Sequence, residues 1–155
     1  MTVLENVLLM TQARGLLASL MEFRADEAKA RAIVARVGLE KYMDQHAKHL
    51  SYGQRKLLEV GRALATGAPN LFLDEPFAGL FPEMIERVKE IIQEEKTRGA
   101  SIVLIEHDMA VIRELCDRVV VLDAGEVIAE GDAEEALRNP KVIEAYLGEE
   151  SIKSP

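Results

Sequence analysis

Cysteine is nearly absent: Cys116 stands alone in 155 residues. An internal disulfide and any cysteine-based metal cluster are thereby excluded, and a reducing compartment fits. Basic charge is in deficit, with 19 Lys and Arg against 27 Asp and Glu and a net charge of -8. No Lys/Arg block is dense enough to track a phosphate backbone, which sets nucleic acid aside as a partner. No uncharged run approaches the ~20 residues of a spanning helix. The apolar opening over 1–10 carries Glu5 in its middle and has no basic lead, so it does not read as a secretory signal. Any membrane role is peripheral, without direct insertion. Lastly, none of the 10 glycines is followed by lysine. The pattern Gly-x-x-x-x-Gly-Lys-Ser/Thr, whose backbone N–H groups, lysine and hydroxyl surround a nucleotide's phosphates, is therefore not spelled here.

What is present is ordinary for a globular protein: 48% apolar and 30% charged residues. A chain of this length hides roughly two thirds of its unfolded surface, enough for a real core. Two regimes follow one another. Thr2 with Glu5 gives the Thr-x-x-Glu pattern of a capping box, predicting a helix to about Met10. An Ala/Glu/Arg-rich stretch predicts a second helix over 25–37 that stops at Gly38, with a short one to about Met43. From Asn70, short β-rich runs alternate with helical periodicity: a strand over 71–73, a helix over 83–98 ended by Gly99, and a strand over 102–105. The unbroken apolar run Ile102-Val103-Leu104-Ile105 suits a strand covered on both faces, as in a parallel sheet with helical crossovers. Strands over 119–122 and 127–129 flank the turn signal Asp123-Ala124-Gly125, and two short helices follow over 133–137 and 142–147. The fold class is α/β. A helical subdomain over 1–69, a core part over 70–148 and a loose tail over 149–155 are expected.

Three segments carry chemistry. Leu71-Phe72-Leu73-Asp74-Glu75 ends an apolar run in adjacent carboxylates whose side chains point differently. Asp74 would then hold Mg²⁺ through water while Glu75 orients and deprotonates an attacking water. The bland alternative is a strand ending in a solvated acidic turn sharpened by Pro76. His107 directly follows a second apolar run, where a strand end would deliver an imidazole to a γ-phosphate oxygen or to the water. Its alternative is a surface histidine beside an Asp108 helix cap. Ser51-Tyr52-Gly53-Gln54 opens a helix to about Ala65, and a helix start suits a phosphate. Ser51 would donate its hydroxyl and Gly53 would allow close backbone approach; an ordinary serine cap is the alternative. His46 and His49 have no metal-ligand company and read as solvated.

In this order and spacing, the segments resemble the ATP-binding cassette (ABC) ATPases over nearly the whole chain. Ser51, Tyr52, Gly53 and Gln54 look like that family's signature, Asp74 and Glu75 like its Walker B pair, 78–81 like its D-loop and His107 like its switch histidine. The spelling Leu50-Ser51-Tyr52-Gly53-Gln54 and the ending over 139–150 are most similar to ATPase subunits of branched-chain amino acid importers, with urea importers and lipopolysaccharide exporters also similar. The resemblance implies part of a P-loop NTPase core with a helical subdomain on its N-terminal side. It further implies ATP and Mg²⁺, a second ABC ATPase subunit, a transmembrane permease, and a peripheral place on the cytoplasmic face of the membrane.

Two departures qualify it. The Walker A loop is missing, as though the chain starts after it, so an N-terminally truncated subunit, inactive alone, is expected. Phe81 stands where related importers carry a polar D-loop residue. Within the family each nucleotide lies between one subunit's P-loop, Walker B and histidine and the other's signature. Ser51, Gly53 and Gln54 would therefore act on a partner's nucleotide. Two other classes fit less: the head lobe of a DNA-maintenance ATPase, which lacks support from heptads or a basic face, and a non-catalytic interaction module or remnant.

Overall fold

The computed structural model describes residues 1–11 and 20–147, and the expected tail over 149–155 lies outside them. The chain divides into two units, Met1–Ile105 and Glu106–Pro155.

The first unit begins with α1 (Val3–Thr11), started by the foreseen capping box: the Thr2 N–H donates to Glu5 Oε2 at 2.7 Å and the Glu5 N–H to Thr2 Oγ1 at 3.2 Å. Its opening is tied to a distant loop by Val3 N–H to Gln45 O at 2.9 Å and Ala47 N–H to Met1 O at 3.1 Å. Then come α2 (Leu20–Arg36), a single 3₁₀ turn at Glu40–Tyr42 in place of the short helix expected to Met43, and α3 (Tyr52–Ala65). Gly38 ends α2 at φ +76°, a left-handed conformation that a side chain disfavours. Val3 and Val7 of α1, Ile33, Val34 and Val37 near the end of α2, and Leu57, Leu58 and Val60 of α3 are buried. Gly61 lets α3 approach α2 closely: a Cβ there would already lie 3.4 Å from the Val37 side chain.

The same unit continues with β1 (Asn70–Asp74), α4 (Pro82–Thr97) and β2 (Ser101–Ile105). The strands pair in parallel, Asn70 with Ser101 through Asp74 with Ile105, so the helical crossover read from the alternating pattern is present. Gly99 closes α4 at φ +89°. Two-sided burial is not observed. Leu71 and Leu73 are buried, but Phe72 is 75%, Val103 48% and Ile105 59% exposed. With only two strands in this sheet among the described residues, one apolar face has no second layer over it. Continuous hydrophobicity along β1 and β2 reports a strand that can be covered twice, not one that is.

The second unit holds α5 (Met109–Leu115), β3 (Val119–Asp123), β4 (Glu126–Gly131), α6 (Ala133–Leu137) and α7 (Pro140–Val142), which runs into a π turn at Ile143–Leu147. The hairpin forms as read: Ala124 and Gly125 take φ +47° and +86°, the left-handed pair of a tight two-residue turn, and β3 pairs antiparallel with β4. A separate cluster of Ile112, Val119, Val121, Ala129, Ala136, Leu137 and Val142 forms its core, with Cys116 half-buried against it.

Candidate nucleotide-facing site

The signature-like segment is a helix start with every cap group used. Ser51 is the N-cap of α3, extended at φ -62° and ψ 167°. Its Oγ accepts the Gln54 N–H at 3.3 Å, and Gln54 Oε1 accepts the Ser51 N–H at 2.9 Å. This reciprocal box spends lone pairs and a carbonyl oxygen, leaving the serine hydroxyl proton and the Gln54 side-chain NH₂ as donors, beside the positive end of a 14-residue helix. The serine cap read as the alternative is thus present, with the hydroxyl oxygen as its acceptor. Ser51 and Tyr52 are exposed, whereas Gly53 is buried. A Cβ at Gly53 would meet Met84 Sδ at 3.1 Å and Leu80 Cδ2 at 3.4 Å. The missing side chain therefore serves close packing within the chain.

The paired carboxylates sit where strand pairing ends. Asp74 is the last residue of β1 and exposed. Glu75 is exposed too and held at φ +45°, a left-handed conformation that costs a non-glycine residue of order 1 kcal/mol. The parallel ladder pins it, because the Glu75 N–H donates to Ile105 O at 2.9 Å. Beyond it, Ala78 N–H bonds Glu75 O and Leu80 N–H bonds Phe77 O, both at 3.2 Å, and Phe77 is buried. The turn thus re-aims the chain immediately after Asp74.

His107 belongs to the second unit. Its imidazole is 72% exposed, and Nδ1 lies 3.9 Å from Oε2 of Glu106. The next residue, Asp108, caps α5 by accepting the Ala110 and Val111 N–H groups at 2.8 and 3.3 Å, as the bland alternative foresaw. His46 and His49 are exposed and meet edge to face at 6.5 Å between ring centroids.

Among the described residues no three His, Cys, Asp or Glu side chains gather as a metal cage. Mg²⁺ keeps several waters and takes one or two carboxylates plus phosphate oxygens. An exposed strand-end carboxylate such as Asp74 fits that donor set. Phe81, the departure in the D-loop-like segment, is the N-cap residue of α4 without any side-chain cap bond and is 72% exposed. Two features escaped the sequence reading. Gln54 as the reciprocal cap was available from Ser-x-x-Gln itself, whereas the contact of Gly79 with the Tyr52 ring joins residues far apart in sequence and left no local signal.

Comparison with known proteins shows the family. The ABC transporter family profile matches residues 1–78, and a branched-chain amino acid ATP-binding cassette transporter profile matches residues 126–151. The high-affinity branched-chain amino acid transport ATP-binding protein LivG of Salmonella typhimurium is 38% identical over 160 residues, covering 96% of this chain and 63% of that protein. A solved ATP-binding cassette of an ABC transporter in its ADP conformation superposes with a TM-score of 0.73 at 34% identity, over 96% of this chain and 63% of that one. A dimeric ATP-binding cassette in a post-hydrolysis state, bound to ADP and phosphate, gives 0.74 at 26% identity over 86% and 57%. The chain thus spans less than two thirds of the length of these relatives. With half of its length matched by the family profile and its described elements following a cassette, the chain belongs to the ABC transporter ATP-binding family.

Proposed function

We propose that these residues form the signature, Walker B and switch-histidine part of an ATP-binding subunit of a branched-chain amino acid importer, acting beside a permease at the cytoplasmic face of the membrane. The reading is supported by the names of the related proteins and by the match over 126–151. The observation that carries it is the start of α3, where a reciprocal capping box at an exposed Ser51 leaves the serine hydroxyl proton and the Gln54 NH₂ outside the cap at the positive helix end.

The work divides by residue. Ser51, the Gln54 side chain and the first N–H groups of α3 bind and orient a triphosphate held by a second cassette subunit, with Tyr52 and Gly53 fixing the turn they stand on. Asp74 would hold Mg²⁺ through water, the ion supplying neutralisation of phosphate charge; Glu75 would orient and deprotonate the attacking water, and His107 would donate a hydrogen bond to a γ-phosphate oxygen. The loop that cradles a subunit's own phosphates is not spelled in these 155 residues. A pair made with a complete cassette subunit accordingly has one site in which this chain supplies the signature.

The test mixes the 155-residue chain with a complete branched-chain importer ATPase subunit whose Walker B glutamate is changed to glutamine to trap ATP. Size-exclusion chromatography with light scattering should show ATP- and Mg²⁺-dependent heterodimer at micromolar concentration, and Ser51→Asp should abolish it. Equal association with and without nucleotide, or none at all, overturns the proposal.

A further inference from the structure

Two segments that the family reading assigns to different nucleotides touch within this one chain. Gly79 sits at φ +66° with its missing side chain aimed at the Tyr52 ring: a Cβ there would fall 2.7 Å from Cε1 and 2.8 Å from Cδ1, nearer than real Cβ atoms come to anything. From the other side, the buried Gly53 backs onto Gly79 O, Leu80 and Met84, with distances of 3.6, 3.4 and 3.1 Å from the position of an added Cβ. Successive residues of the first turn of α3 therefore grip the turn between β1 and α4. That turn has little slack. One end is hydrogen-bonded to β2 through Glu75, Phe77 is buried in its middle, and the other end enters α4 through Met84 N–H to Phe81 O at 2.9 Å. Ala78 and Gly79 are the residues left to move, and the Tyr52 ring lies against the second of them.

We propose that Tyr52 is a positioning residue whose ring locks the Gly79 turn, so that displacement of the Ser51–Gln54 helix start is passed mechanically to the turn that holds Glu75. Tyr52 is 53% exposed, with its ring against Gly79. Its packing is a local device rather than part of the buried core. Gly79 is required twice, for its left-handed backbone and for the space the ring occupies. Resting on the function proposed above, the lock makes engagement of a partner's phosphate at Ser51 felt at the carboxylate of another site. The lock itself is a property of this chain alone and is measurable without nucleotide.

Amide hydrogen exchange of the 155-residue chain tests it, reading the Ala78 and Leu80 N–H groups that close the turn against Val88 and Ile91 in the buried face of α4. Tyr52→Ala should speed exchange at Ala78 and Leu80 roughly tenfold and leave Val88 and Ile91 unchanged, while Tyr52→Phe, which keeps the ring, should keep the protection. Gly79→Ala should open the same two amides, and adding Tyr52→Ala should recover part of that loss because the collision is gone. Gln54→Ala, which breaks the cap, should loosen Ala78 and Leu80 only while the ring is present. Unchanged exchange in Tyr52→Ala, a uniform rise across α4, or additive effects in the double variant would each overturn the lock. Should the exchange pattern hold while ATP-dependent pairing with a complete subunit fails, the functional proposal falls and the lock stands.

Discussion

The two turns that present the chemistry of the first unit are built in opposite ways. At Ser51–Gln54 every cap group finds its partner within three residues, and the backbone is relaxed. At Asp74–Ala78 a glutamate is held in a left-handed conformation by a bond to Ile105 on another strand, in a turn that also buries Phe77. The first turn can form as soon as its helix does. The second exists only once β1 and β2 have paired, so its strain is sustained by distant contacts. On the proposed roles, a phosphate-binding start would need only donors, whereas a carboxylate that aims a water would need a direction the ordinary backbone does not supply.

This contrast can be broken from either side. The largest effect is expected at the buried residue of the strained turn: Phe77→Ala should cost about 3 kcal/mol in urea denaturation, because it removes a buried ring and leaves a cavity. Ser51→Ala removes a cap and should cost about 1 kcal/mol, whereas Ser51→Asp keeps an acceptor and suits the helix dipole, so its stability should lie within about 0.5 kcal/mol of the wild type. Glu75→Gly should move the other way, stabilising by about 0.5 to 1 kcal/mol as the left-handed strain is relieved, even as the carboxylate is lost. If that variant is less stable, the turn is not strained and the comparison fails. The smallest effect on stability is expected at the open sheet face. Phe72→Ser should hardly change the unfolding midpoint but should reduce self-association in size-exclusion chromatography, since Phe72, Val103 and Ile105 present contiguous apolar surface to water.

The same contrast explains what the sequence made legible. Thr2 with Glu5, Ser51 before its helix, Gly38 and Gly99 at helix ends, and the Asp123-Ala124-Gly125 turn are local devices, and each formed where its residues stood. Asp74 and Glu75 could be placed at a strand end because the apolar run stops there. The strain at Glu75 could not be foreseen, since it arises from pairing with Ile105 some thirty residues later. The short helix expected to Met43 shrank to one 3₁₀ turn, its surroundings occupied by bonds from the chain start to Met43 and Gln45. The apolar run over 102–105 named the strand correctly but not its cover. Hydrophobicity records what a face can tolerate, and only neighbours decide whether it is buried. The structural duty of Gln54 is written in the same four letters, Ser-Tyr-Gly-Gln, as a capping box.

The claim on which the account rests is that the Ser51–Gln54 start of α3 faces a triphosphate held by another subunit. ATP turnover by an equimolar mixture of this chain with a complete cassette subunit carrying an inactivated signature addresses it directly, comparing wild type with Ser51→Asp at matched thermal stability. The account predicts turnover with the wild-type chain and its loss in Ser51→Asp, where the cap survives but a negative charge meets the phosphate. Undiminished turnover in Ser51→Asp would contradict it.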